Sequence, residues 1–434
     1  MELESLYAIY QRHPVICTDT RKITPGCLFV ALQGAQFDGN SFAMEALKLG
    51  AAFALVSDPT LSGDSFIQCE NTLSSLQSLA NFHRRQLPIP LVAITGTNGK
   101  TTTKELTTCV LSETYKVHGT KGNLNNHIGV PLTLLSTPVD TEIIVCEMGA
   151  NHIGEIDMLC KIAMPTHGII TNIGKAHLEG FGSIEGVQKA KGELYDYLHQ
   201  HGGFAFVNAD DPRVMAAGKG LADKITYGFN PVVAPQVCFN YSANKNENGF
   251  VINDLNSDTR IISGMFGFYN AANVLAAYTI GLHFNVPKQK MIKALSSFMP
   301  GSNRSETISF KGSMIIKDAY NANPTSMELA LRAFAQRFPD GWIILGDMKE
   351  LGNESDNAHQ QMISMIRELG FRHVMLVGDS FKRALIHYPL MNDIVKSYEN
   401  IDELKRNWNW NECRNQTLLL KGSRSMFLEK LLEE

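Results

Sequence analysis

The run Thr95-Gly96-Thr97-Asn98-Gly99-Lys100-Thr101-Thr102 sets two glycines, a lysine and several hydroxyls between an apolar stretch, LVAI (91–94), and KTTTKELTTCVLSE, a segment of helical spacing. Strand, glycine loop and helix together make a phosphate cradle. The glycines admit phosphate oxygens to backbone N–H groups, and the helix N-terminus adds positive potential. Lys100 would reach the terminal phosphates and the Thr101 hydroxyl would touch Mg²⁺. Ile94 stands where the pattern G-x-x-x-x-G-K-[ST] has its first glycine, so a plain Gly-rich turn before a helix is the alternative. Glu147 ends the buried run IIVC. A carboxylate there could hold Mg²⁺ beside a phosphate loop, or cap the next helix. His177 follows the strand GIITNI and, taken alone, reads as a structural histidine. Lys189 and Lys191 are two apart in IEGVQKAKGELYDYL, cannot share a helix face, and by default are solvated. Asn270 and Asn273, at i and i+3, could cap or pack. Asp19 and Arg21 read as a surface turn with a local ion pair.

These residues need elements to hold them. Over residues 1–85, a helical opening leads to strands VICTDTR, CLFVAL and AFALVS with the helical SFAMEALKLGA between them, and then NTLSSLQSLANFHRRQ as a helix: a small N-terminal α/β domain. Leu87-Pro88-Ile89-Pro90 is a short, stiff linker. Residues 86–300 hold the phosphate loop, the strands IIVC and GIITNI, GGFAFVNADDP with Asn208 and Asp210 at its strand exit, short alternating strands over 236–262, and an alanine-rich helix after Phe268. Residues 301–434 read as strand–loop–helix repeats: GSMIIKDAYNANPTSMELAL, WIILGDMKELG, HVMLVGDS and TLLLKGSRSMFLEKLL, the last as strand, Gly turn and helix. The alternation predicts an α/β chain of three domains, with mostly parallel sheets and a Rossmann-like C-terminal domain. No G-x-G-x-x-G is present, so dinucleotide binding is not implied.

Composition excludes several functions. The formal net charge of −4 makes no electrostatic case for nucleic acid or an anionic membrane. No apolar run is long enough to span a bilayer. The opening MELESLYAIYQRHP has no basic segment leading into an apolar one, so no signal peptide is expected. The eight cysteines form no C-x-x-C pair and are expected as reduced thiols in a cytoplasm.

Nine segments, in order, resemble the Mur ligase family of peptide-bond-forming enzymes: D-T-R, T-G-T-N-G-K-T-T, N-x-N-N-x-I-G, E-M-G-A-N, the histidine segment, A-K-G-E, Y-N-A-N-P, L-G-D-M-x-E-L-G and K-G-S-R-S-M. The resemblance implies a role for each. Asp19, Thr20 and Arg21 would grip the uridine diphosphate end of the substrate. Gly96, Thr97, Asn98, Gly99, Lys100, Thr101 and Thr102 would hold ATP, with Asn270 and Asn273 at the adenine and Arg304 and Asp318 reaching the nucleotide from the C-terminal domain. Asn125 and Asn126 would lie near the reacting carboxylate, with Tyr320 and Asn321 also on substrate. His177 becomes a metal ligand with Thr101 and Glu147, and Lys191 a carbamylated, catalytic lysine that also binds metal. Lys100, Lys191 and His177 form the catalytic set. Lys317 stands where many members carry a first acid before Asp318. The tetrad at 244–247, N-K-x-E, resembles a guanine-reading motif but has no buried strand feeding it.

The implied activity is ATP-dependent joining of D-alanyl-D-alanine to UDP-N-acetylmuramoyl-tripeptide through an acyl phosphate. The product is the pentapeptide precursor of peptidoglycan, hence cell-wall growth, shape and division. ATP, two Mg²⁺ ions and the carbamylated lysine are the implied cofactors; a monomer without nucleic-acid or membrane partners is expected. Members that add the third amino acid normally carry D-N-P-R, absent here. The rival from another class is a P-loop switch or transport ATPase that forms no bond; it would need no separate domain at each end.

Overall fold

The computed structural model of the chain describes residues 2–433, apart from residues 35, 244–248, 302 and 392–393. The N-K-x-E tetrad lies outside the described residues. Three sheets follow one another along the chain. The first has four parallel strands in the order Ile16–Cys17, Leu28–Val30, Phe53–Val56, Phe66–Gln68. Its run CLFVAL is buried throughout because both faces are covered, as parallel sheets require. Leu28 and Val30 face helices Leu3–Arg12 and Thr72–Arg85, while Cys27, Phe29 and Ala31 face the helix Ala43–Lys48. VICTDTR gives only a two-residue strand, since Asp19 accepts from the Arg21 N–H and turns the chain into a short 3₁₀ turn.

The central sheet has nine strands, ordered Arg260–Ser263, Phe250–Asp254, Val237–Ala243, Lys224–Gly228, Phe204–Asn208, His167–Ile170, Leu91–Thr95, Ile143–Glu147, Val117–Gly119. Only the hairpins among the first three are antiparallel. The strand before the phosphate loop lies between its neighbours Ile143–Glu147 and His167–Ile170. Three adjacent strands therefore release the phosphate loop, Glu147 and the segment 171–177 at one carboxyl edge, where open α/β sheets bind ligands. Helix Lys100–Leu111 packs against helix Tyr269–His283 over this sheet.

The third sheet runs Glu306–Phe310, Ser313–Asp318, Thr417–Lys421, Trp342–Gly346, His373–Val377, Val395–Tyr398, parallel except for its first hairpin. The expected final helix is instead two 3₁₀ turns, Arg424–Met426 and Leu428–Leu432. They are split by Phe427 at φ 50°, a left-handed residue that a continuous helix cannot contain.

The three units are not equally separate. One apolar cluster joins Leu6, Tyr10 and Leu79 of the first unit to Leu134, Ile144 and Leu159 of the second. Arg84, buried, donates to the carbonyls of Ala163, Leu87 and Ile89, so it closes the helix Glu155–Ala163 and pins the proline-rich linker. The C-terminal sheet has two further cores, one of which takes in Phe266 of the second unit. All eight cysteines are free, and six are buried.

Candidate active site

A cleft of about 810 Å³ opens at the carboxyl edge of the central sheet and is closed from the far side by the C-terminal unit. Gly96 and Gly99 are both left-handed, at φ 145° and 79°. A Cβ on Gly96 would lie 2.0 Å from Thr171 Oγ1, and one on Gly99 would lie 2.5 Å from Asn273 Oδ1. The glycines thus let the loop sit against its braces as well as against a ligand. The braces come from the segment after His167–Ile170. Thr171 Oγ1 donates to Asn98 O at 2.6 Å, Asn172 Oδ1 accepts from Asn98 N at 3.0 Å, and Gly174 N donates to Thr97 Oγ1 at 2.9 Å. Sequence reasoning took this segment as a strand end and missed the bracing; the clustered hydroxyl and amides of Thr171 and Asn172 were its only signal.

Lys100 Nζ folds back onto Gly96 O at 2.7 Å and Thr97 O at 3.1 Å. Burial pushes its ammonium down to about 8, with the Glu147 carboxylate working the other way. Thr101 and Thr102, both buried, begin the same helix and line the cleft. Glu147 is buried; Oε1 accepts from Asn125 Nδ2 at 2.7 Å, while Oε2 has no partner among the described residues. An orphaned, buried carboxylate oxygen facing the cleft is what a hard cation needs. The capping alternative for Glu147 does not hold: the helix that follows, Glu155–Ala163, has its N-terminal N–H groups at Gly154 and Asp157 bound by Glu193.

That same engagement leaves Lys191 without Glu193 as a bonded partner. Lys191 is 2% exposed, donates to Ala150 O at 3.3 Å, and lies 5.2 Å from the Phe181 ring. Burial, then the charge of Lys100, lowers it to about 7. Lys189, two residues earlier, is exposed. His177 lines the cleft and its Nδ1 lies 2.6 Å from Oε2 of Glu350 in the C-terminal unit.

Asn270 and Asn273 are buried in a chain that runs from Thr103 Oγ1 to Asn273, then to Asn270, and on to Phe266 O. Asn126 Oδ1 accepts from the N–H groups of Ile128 and Gly129 where the helix Gly129–Leu135 begins, with its neighbour Asn125 on Glu147. From the C-terminal unit, Arg304 stacks at 3.6 Å on the Tyr320 ring, and Asp318 pairs with buried Lys421 at 2.5 Å. Asn321 lines the cleft. Asn323 caps the helix Pro324–Arg337 and donates through Nδ2 to Asn98 Oδ1 at 2.8 Å, joining that helix to the phosphate loop. Asn323, Lys349 and Glu350 belong to recognised motifs, but sequence reasoning assigned them no role. Asp19, Thr20 and Arg21 are not in this cleft; Asp19 and Arg21 form a two-pronged pair at 2.8 Å on the N-terminal unit. Among the described residues no helix is long and apolar enough to cross a membrane.

A phosphate cradle faced by a second domain across an acid-lined cleft defines a nucleotide-dependent group-transfer site, and the family comparison names its class. The Mur ligase family catalytic domain matches residues 14–90, the Mur ligase middle domain 94–281, and the Mur ligase glutamate ligase domain 303–424; the chain belongs to the Mur ligase family. It is 34% identical to UDP-N-acetylmuramoyl-tripeptide–D-alanyl-D-alanine ligase of Bacillus subtilis, over 96% of this chain and 92% of that protein. The enzyme of the same name from Escherichia coli is 33% identical over the same shares. Among solved structures, MurF from Acinetobacter baumannii superposes with a TM-score of 0.87 at 29% identity, covering 99% of this chain and 97% of that one. MurF from Thermotoga maritima in complex with ADP gives 0.83 at 26% identity, with 98% and 97% covered.

Proposed function

We propose that the protein joins D-alanyl-D-alanine to UDP-N-acetylmuramoyl-tripeptide at the expense of ATP, in the cytoplasm and as a monomer. The observation that carries the reading is the assembly in one cleft of the phosphate loop and the orphaned Glu147 oxygen, covered by a second domain, with the Lys191 amine buried just behind on the carbonyl of Ala150, a residue of the cleft wall. A carboxylate is a poor electrophile, so the peptide terminus must first take the γ-phosphoryl group. The dipeptide amine then attacks the acyl phosphate, and phosphate leaves. Lys100 releases the Gly96 and Thr97 carbonyls and turns to the phosphates, where its charge offsets that of the transferred group. Arg304 and Asp318 approach the nucleotide from the C-terminal side, Tyr320 and Asn321 the substrate, and the chain Asn270–Asn273 backs the base. Asp19, Thr20 and Arg21 take the uridine diphosphate end. Thr101, Glu147 and His177 offer donors suited to two Mg²⁺ ions, which when bound would neutralise phosphoryl charge. Lys191 as a neutral amine adds CO₂, forming an N–C bond and losing a proton; the carbamate then supplies two more oxygens.

Phosphate release tests the reading. Turnover is expected with ATP, the nucleotide tripeptide and D-alanyl-D-alanine together. Turnover with the nucleotide dipeptide and a single amino acid instead would point to the ligase that adds the third residue, and full ATP hydrolysis without any peptide to a bond-free ATPase.

A further inference from the structure

The contact between His177 and Glu350 spans the cleft and lies outside the phosphate cradle. We propose that Glu350 is a positioning residue: as the C-terminal domain closes, it sets the ring of His177 for cation binding. The proposal deepens the reading of His177 as a ligand given above and rests on it.

Nδ1 of His177 is 2.6 Å from Oε2 of Glu350. A carboxylate only accepts, so Nδ1 carries the proton and donates it. A neutral imidazole has one such proton, which leaves Nε2 with its lone pair, the state a metal ligand needs. A carboxylate behind a ligating histidine fixes tautomer and ring orientation and raises basicity. The two partners belong to different domains, so this support exists only when those domains meet. Among the described residues the polar partner of Nδ1 is Glu350, and the ring's aromatic neighbour in the central domain is Phe181, edge-on at 6.3 Å.

The backbone points the same way. His177 and Glu350 both sit left-handed, at φ 50° and 62°. Glycine would adopt either position at lower cost, so the side chains are what these positions keep. Gly352, at φ 53°, turns the Glu350 loop onto the His177 turn; a Cβ there would lie 3.6 Å from Glu179 Cβ. The pair is a poor stability device, because the Glu350 side chain is 57% exposed and such ion pairs add little. Its geometry is suited to orientation.

The test uses the full-length protein with a non-hydrolysable ATP analogue and the nucleotide tripeptide, with Mn²⁺ as the metal probe. E350A is expected to weaken Mn²⁺ binding, read by electron paramagnetic resonance, about tenfold. E350Q keeps an amide oxygen for the Nδ1 proton and should lose less than threefold. Long-range proton–nitrogen spectra of ¹⁵N-histidine protein, assigned with H177Q, should show Nδ1–H at His177 in wild type and E350Q, and a tautomer mixture in E350A. Thermal melting should not change. Wild-type Mn²⁺ affinity in E350A, an unchanged tautomer there, or equal losses in E350A and E350Q overturns the proposal. If H177Q binds Mn²⁺ as wild type does, both this proposal and the ligand reading beneath it fall; if H177Q is impaired and E350A is not, only this proposal falls.

Discussion

Lys100, half-buried in the cleft, and Lys191, buried behind its wall, have opposite tasks in the proposed reaction. Lys100 must stay charged to meet phosphates, and its partners in the structure are carbonyls it can leave. Lys100→Ala should abolish ligation while the circular dichroism spectrum stays that of wild type; near-normal turnover would remove the phosphate-loop assignment. Lys191 must lose its proton to become a carbamate, and burial brings it from 10.5 to about 7. Activity limited by this step should fall as pH drops through about 7, and added bicarbonate should recover part of it. The sign for stability follows from linkage. The unfolded chain holds the proton up to 10.5, whereas the folded one releases it near 7, so unmodified protein gains stability as pH rises between the two. Carbon-13 NMR with labelled bicarbonate should show a carbamate lost in Lys191→Ala and kept in Lys189→Ala. An unmodified amine in active, metal-bound enzyme would end the idea.

Asp347 shows how one side chain can hold an element. It follows the strand Trp342–Gly346, is fully buried, and accepts from the N–H groups of Ser380 at 3.1 Å and Phe381 at 3.0 Å, the first turn of helix Asp379–Leu385. Lys349 Nζ lies 3.2 Å from the same carboxylate. Asp347→Ala leaves two buried donors unpaired and should cost the C-terminal domain about 2–4 kcal/mol; Asp347→Asn should cost less. The three tryptophans, Trp342, Trp408 and Trp410, all lie in that domain. Their fluorescence during urea unfolding therefore reads its transition separately, as a multidomain chain requires. No shift in that midpoint would deny Asp347 its capping role.

At the scale of the molecule, the first two units share an apolar core and the linker is clamped by Arg84, while the third meets the central one through an apolar joint, where Phe266 packs beside Phe334 and Phe338, and through polar bridges. Motion is therefore expected between the central and C-terminal domains, with the N-terminal domain riding on the central one. Gly174 and Thr325 face each other across that seam, and a Cβ on Gly174 would lie 3.7 Å from Thr325 Cβ, the spacing of a disulfide. The double variant G174C/T325C, oxidised, should lock the domains and lose turnover, with recovery on reduction. Equal turnover in both states would mean that the domains need not part during the cycle.

The class and the order of elements were legible in the residues alone, and the structure brings Lys100, Thr101, Glu147, His177 and Asn270 to one cleft. Glycines, the lysine and the hydroxyls of a phosphate loop are local, because backbone geometry and helix capping act over a few residues. Continuous apolar runs such as LVAI read as buried parallel strands for the same reason. Tertiary structure alone decided what depends on distant neighbours. Lys191 and Lys189 are alike in sequence, yet only the first is desolvated, because helix Ile184–His201 turns that face onto Ala150 and Phe181. The partner of His177 is 173 positions away, from 177 to 350, and no spacing rule could connect them. The terminal helix read from SRSMFLEKLL failed at Phe427, whose left-handed backbone breaks the run in a way that helical periodicity cannot reveal.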